Sequence, residues 1–194
     1  MKQLYQSYWA ARKRLQTEEA TVSYLDTTND TKYLKLFQKG KITAEEVAKK
    51  NHEEGLHYEV TILAEEKPIS FLEIVHENNY IGVTFLDEVG RKYLKYQFKE
   101  VEPLKKLFLH EVWYYNYLSE DAINEDYRIH FAFDQEGNAS YRKYDEINEK
   151  TLDYESKEPL DVSGLYEDYP EFGNYERLIK VERNMPLLDD MNNI

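Results

Sequence analysis

Five histidines and thirty-eight acidic residues are the side chains of this 194-residue chain best suited to chemistry. Their spacing decides what they can do. His52-Glu-Glu-Gly-Leu-His57 invites comparison with the helical zinc motif, which needs two imidazoles four residues apart on one helical face. Here the histidines are five apart, which turns the second about 140° from alignment, and Gly55 is placed to end a helix between them. No metal site is expected. His76-Glu77 and His110-Glu111 offer no second ligand at a useful distance. Asp134-Gln-Glu-Gly-Asn138 carries glycine fourth, where a calcium loop needs it sixth, so the segment reads as a hairpin turn. The seven glycines form no phosphate cradle or nucleophile elbow, and the absence of cysteine removes thiol nucleophiles and disulfides. Acid pairs such as Asp126/Asp134 or Glu136/Asp145 could exchange protons, but among so many acids such pairs arise by chance. An enzyme would require His57, His76, His110 or His130 to converge on an acid in one cleft. The reading is therefore no catalytic residue, no cofactor and no enzyme.

The elements that must position these groups follow from periodicity. Leu4, Tyr8, Ala11 and Leu15 have helical spacing, with Arg12, Lys13 and Arg14 at the end that favours cations, predicting a first helix. Thr31–Gln38, stopped by Gly40, and the capping box Thr43-Ala-Glu-Glu46 predict two more. From His57 the period becomes two, and turns at 65–68, 77–79 and 87–90 divide residues 57–98 into four strands of an antiparallel meander. Residues 104–118 fit a helix or a strand, and Pro103 tips them to helix. Residues 127–133 and 139–145 alternate about the Gly137 turn as a hairpin. Lys150–Gly173 reads as an acidic surface excursion before a last strand near Tyr175–Val181. The predicted class is α+β: N-terminal helices (1–54), a β-meander (57–98), a helix (104–118) and further antiparallel strands (127–182), in a single domain spanning 1–194.

Charge is unevenly placed. The chain carries 25 basic and 38 acidic residues, a formal charge of −13; residues through His110 have 17 of each sign, whereas those after it have 8 against 21. Such a balance disfavours direct binding to nucleic acid, whose phosphates need cations, and favours a basic partner. Ten of the 18 tyrosines also fall after His110, many among the acids. Tyrosine buries a large rigid area and keeps a hydroxyl for hydrogen bonding, so acid and phenol together suggest a binding face. The opening segment lacks the apolar stretch of a signal peptide and no run of about 18 apolar residues occurs, which predicts a cytoplasmic protein without a membrane span.

Phe131-Ala-Phe-Asp-Gln-Glu-Gly-Asn138, leading to Tyr141-Arg-Lys-Tyr-Asp-Glu146, resembles the small acidic antitoxins and immunity proteins of bacterial polymorphic toxin systems, nearest the YezG-like nuclease antitoxins. The likeness covers residues 107–146. It implies a non-catalytic protein that binds one cognate toxin, a nuclease with a basic active-site surface, and blocks it. Asp134, Glu136, Asp145, Glu146, Glu149, Asp153 and Glu155 are then the candidates for steering. Tyr141, Tyr144, Tyr154, Tyr166 and Tyr169 are the candidate anchors. A DNA mimic or acidic adaptor that occupies a DNA-binding protein is the alternative; the sequence leaves the oligomeric state open.

Overall fold

A computed structural model describes residues 1–102 and 106–186. These gather into two compact units, one formed by Met1–Tyr93 with Pro170–Tyr175, the other by Leu94–Tyr169 with the described residues from Glu176 onward. Twelve strands stand against three short α-helices among the described residues, so the fold is sheet-dominated and the expected series of N-terminal helices before a meander is corrected.

In the first unit, the elements run β1 (Lys2–Leu4), β2 (Tyr8–Trp9), β3 (Arg14–Leu15), α1 (Glu18–Thr28), α2 (Tyr33–Gln38), α3 (Ala44–Glu53), β4 (Tyr58–Ala64), β5 (Lys67–Val75) and β6 (Tyr80–Leu86). The sheet order is β1-β4-β5-β6, antiparallel throughout, and β2 and β3 form a separate small hairpin. The predicted first helix is therefore three short pieces of strand, with a 3-10 turn at Ala10–Arg12 between the last two. Tyr5, Tyr8 and Trp9 favour extended backbone, Lys2–Leu4 pairs with Leu63–Thr61, and Lys13 adopts φ 50°, a left-handed conformation that a helix interior does not hold. Helix begins only after Thr17, whose hydroxyl accepts the Ala20 amide at 3.1 Å, with Glu18 and Glu19 in the first turn where their charge suits the helix dipole. The Thr43–Glu46 capping box forms and opens α3. Val22, Ala44 and Val47 then close a small core with Tyr33, Leu34, Phe37 and Ile42.

The same unit holds a buried aromatic and imidazole cluster. Tyr58 is fully buried; its hydroxyl lies 3.0 Å from His52 Nδ1 and accepts the Tyr175 hydroxyl at 3.3 Å. The His76 ring meets His52 edge-on at 5.4 Å. Burial, helped by the neighbouring His52, pushes His76 down to about 4 from 6.5. A histidine kept neutral in the folded state makes the unfolded state the better proton acceptor between those values, so stability falls as pH drops from about 7 towards 4. That displacement corresponds to about 3 kcal/mol at full strength and about 1–2 kcal/mol after solvent screening of a partly exposed ring. Denaturation midpoints measured across this range are expected to decline in the wild type and to decline less in His76→Phe; parallel curves would contradict the assignment.

The second unit runs β7 (Lys92–Val101), β8 (Lys106–Asn116), β9 (Tyr127–Phe133), β10 (Ala139–Asp145), β11 (Lys150–Glu155) and β12 (Tyr166–Asp168). Its sheet is β7-β8-β9-β10-β11, antiparallel, with β12 beside the first three residues of β8. Three expectations are corrected here. Residues 106–116 form strand, not helix: the aromatic and β-branched run Phe108, Val112, Trp113, Tyr114 and Tyr115 pairs on both sides, and this pairing overrides the proline signal. Pro103 and Leu104 lie outside the described residues. The acidic excursion contains β11, a 3-10 turn at Ser163–Leu165 and β12. No strand forms near Tyr175–Val181, where the chain makes turns.

Register then sets the faces. Gln97 pairs with Glu111 but Phe98 pairs with Leu109, leaving His110 as a bulge. This extra residue keeps Leu109 and Val112, three apart, on one face with Tyr96, Phe98 and Tyr141, all of them buried. The guanidinium of Arg183 lies 5.3 Å and 5.0 Å from the Tyr96 and Phe98 ring centres.

Candidate functional site

The opposite face of the second unit carries the polar groups. Asp134 turns β9 into β10 by accepting the Asn138 backbone amide at 2.8 Å and its Nδ2 at 2.7 Å. These bonds favour the charged form and hold the Asp134 carboxyl below its ordinary range. Gly137 supplies φ 91° within the turn. The segment after β11 folds back over it: the Ser156 amide donates to the Ala139 carbonyl at 2.8 Å and the Leu160 amide to the Gly137 carbonyl at 2.9 Å. Between turn and strap lies an open groove of about 440 Å³, lined by Ala132, Phe133, Asn138, Ala139 and Ser140 together with Asp134, Glu155 and Ser156. Glu136 in the turn and Glu158 in the strap are exposed nearby in sequence. The small residues in this lining leave room for an incoming side chain, and its two carboxylates select a cationic one.

Further along the same face, Glu111 gathers donors. Gln97 Nε2 donates to it at 2.7 Å and Trp113 Nε1 at 3.2 Å, while His130 Nε2 lies 3.3 Å and His110 Nδ1 3.8 Å away. Trp113 stacks on His130 at 4.0 Å and 12°. Burial lowers the basicity of both histidines, against the opposing charge of Glu111. Of the four histidines named for a catalytic cleft, these two meet at one acid and the other two, His57 and His76, belong to the first unit. With its oxygens already engaged, Glu111 is poorly placed to act as a free base. Among the described residues no three histidine, aspartate or glutamate side chains are arranged to hold a metal ion. The Glu111–Trp113–His130 row escaped sequence reasoning, although the residues alternate correctly on β8 and β9; the register that brings them together is tertiary.

The predicted partner-binding residues divide. Tyr141 is 2% exposed and belongs to the core, which corrects its assignment as an anchor. Glu146 pairs with Arg128 at 3.1 Å and Asp153 pairs with Arg142, so their charges are largely compensated. Asp145 caps the β10–β11 turn by accepting the Asn148 amide at 2.9 Å, and stays ionised to lower pH than an ordinary carboxylate. Tyr144 lies under the Arg128 guanidinium at 4.8 Å, and Tyr154 packs on Tyr141 at 5.5 Å. Tyr166 is on β12 against Phe108, and Tyr169 follows it; neither stands on β10 or β11. The single wall of acids and phenols implied by the sequence is therefore not formed. Asp134, Glu136 and Glu155 collect at one end of the sheet, Asp145, Glu146 and Glu149 at the other, and β11 runs between them. Glu136, Glu149, Glu155 and Glu158 make no salt bridge among the described residues.

The molecule thus defined is a two-unit, sheet-dominated protein whose second unit bears an acid-edged groove. No protein-family model matches the chain, and neither a curated protein nor a solved structure does so. No helix among the described residues is long and apolar enough to cross a membrane.

Proposed function

We propose that this chain is a bacterial immunity protein or antitoxin, acting in the cytoplasm, that binds a cognate toxin and blocks it. The partner is a nuclease whose phosphate-binding surface is basic. One observation carries the reading: Asp134 and Glu155 line a groove whose small residues Ala132, Ala139 and Ser140 leave room for a lysine or arginine side chain, and the turn and strap that meet there carry the exposed Glu136 and Glu158, which make no salt bridge among the described residues. A nuclease must present such cations to its substrate, and an acidic surface that reaches them first occupies the same place. Opposite charge also speeds encounter, and the excess of acids in the second half of the chain adds to that attraction.

The test is association with the basic nuclease domain encoded beside it. The association rate is expected to fall at least about tenfold between roughly 50 and 500 mM salt, and the triple substitution E136K/E155K/E158K is expected to slow it by a similar factor at low salt. A rate insensitive to salt and to the triple substitution would overturn the proposal. Competition with duplex DNA for a general DNA-binding protein, without binding to the nuclease, would replace it with the DNA-mimic reading.

A further inference from the structure

Among the described residues β11 pairs with β10 alone, so its outer side is an open sheet edge there. Ser156 donates its amide inward to Ala139, and antiparallel pairing alternates, so Lys150, Leu152 and Tyr154 also direct their backbone groups towards β10. Thr151, Asp153 and Glu155 must then direct theirs outward. Three residues thus offer a ladder of free N–H and C=O groups, and no proline interrupts it.

The side chains along this edge are sorted by face. Asp153 and Glu155 stand on the groove side, and Glu149 precedes the strand at φ 52°. Leu152, 45% exposed, and Tyr154 stand on the other. A strand laid antiparallel against β11 would place its own residues opposite these in alternation. A basic residue opposite Glu155 would find a carboxylate with no ion-pair partner among the described residues, one opposite Asp153 would share that carboxylate with Arg142, and apolar residues opposite Leu152 and Tyr154 would cover exposed apolar surface.

We infer that β11 binds its partner by accepting an added antiparallel strand in which basic and apolar residues alternate. This deepens the proposed function, resting on its reading of a basic partner, and specifies the contact: main-chain bonds give the affinity, and the period-two charge pattern gives the choice.

The probe is a capped octapeptide of alternating lysine and valine, with a block peptide of the same composition as control, added to the full chain. The alternating peptide is expected to slow amide hydrogen exchange at Thr151, Asp153 and Glu155 and to bind at least about tenfold more tightly than the block peptide. Thr151→Pro removes one outward N–H at an edge where proline is tolerated, and is expected to weaken binding about tenfold. Thr151→Val keeps that N–H and is expected to bind like the wild type. Equal binding of the two peptides, or unchanged exchange at the three amides, would overturn the inference. If the peptide binds as stated and the nuclease does not, the immunity reading fails and the edge site stands. If the nuclease binds equally well to wild type and Thr151→Pro, the edge site fails and the immunity reading stands.

Discussion

Arg183→Ala is expected to destabilise the second unit by about 3–5 kcal/mol, the largest effect of any single substitution considered. The side chain is 3% exposed and ties together groups far apart in sequence. Its Nη1 donates to Glu167 at 2.7 Å, while Nη2 donates to the carbonyls of Arg177 at 2.6 Å and Leu178 at 3.2 Å. The guanidinium also caps the Tyr96 and Phe98 rings. Removing it leaves a carboxylate at 18% exposure and two carbonyls without their donor, and empties the space over two core aromatics. Lysine at this position keeps the charge but not the planar fork, so Arg183→Lys is expected to recover only part of the loss. Urea midpoints for the two variants check this, and a loss below about 1 kcal/mol for alanine would show that the guanidinium is not the clamp described here.

Gly137→Ala is expected to cost about 2–4 kcal/mol and to open the groove. At φ 91° a side chain strains the backbone, and a Cβ built there would lie 2.5 Å from the Leu160 carbonyl oxygen and 2.9 Å from the Leu160 nitrogen. Both neighbours are backbone atoms, so they cannot swing aside. The strap must lift, which breaks the Leu160–Gly137 hydrogen bond and moves Glu158 away from the turn. Thermal unfolding reads the cost, and faster exchange of the Leu160 amide reads the lifting. A variant with wild-type melting and an unchanged Leu160 amide would mean that the strap is held by other contacts.

The short-range features of the molecule were legible where one local rule dominated. The Thr43–Glu46 capping box, the end of α2 before Gly40 and the hairpin around Asp134–Asn138 all depend on residues within a few positions of each other. Long-range pairing decided the rest. Leu4, Tyr8, Ala11 and Leu15 have the spacing of a helix, yet β1 is held by β4, about sixty residues away. The same competition turned 106–116 from an expected helix into a strand flanked by β7 and β9. Thr17-Glu-Glu19 marks the start of α1, but the helical spacing of Leu4, Tyr8, Ala11 and Leu15 just before it is the stronger local signal and masks that start. For the site, the identity of Glu136 and Glu155 as free carboxylates was visible as composition, but the ion pairs that compensate Glu146 and Asp153 depend on cross-strand neighbours. Tyr141 illustrates the limit most directly. Its place among acids suggested an exposed phenol, whereas the register opposite Phe131 and Tyr154 puts it inside.

The carboxylates beside β11 also govern how the molecule treats its own kind. Docking one β11 antiparallel on another sets Asp153 against Asp153, Asp153 against Glu155 or Glu149 against Glu155, according to the register chosen. The last is repulsive outright, and the first two remain unfavourable only to the extent that Arg142 leaves the charge of Asp153 uncompensated. Sheet growth from molecule to molecule, the usual hazard of an unprotected margin, is thereby opposed by the very groups that would welcome a cationic guest. Selectivity towards strangers and tolerance of crowding among siblings share a single chemical origin.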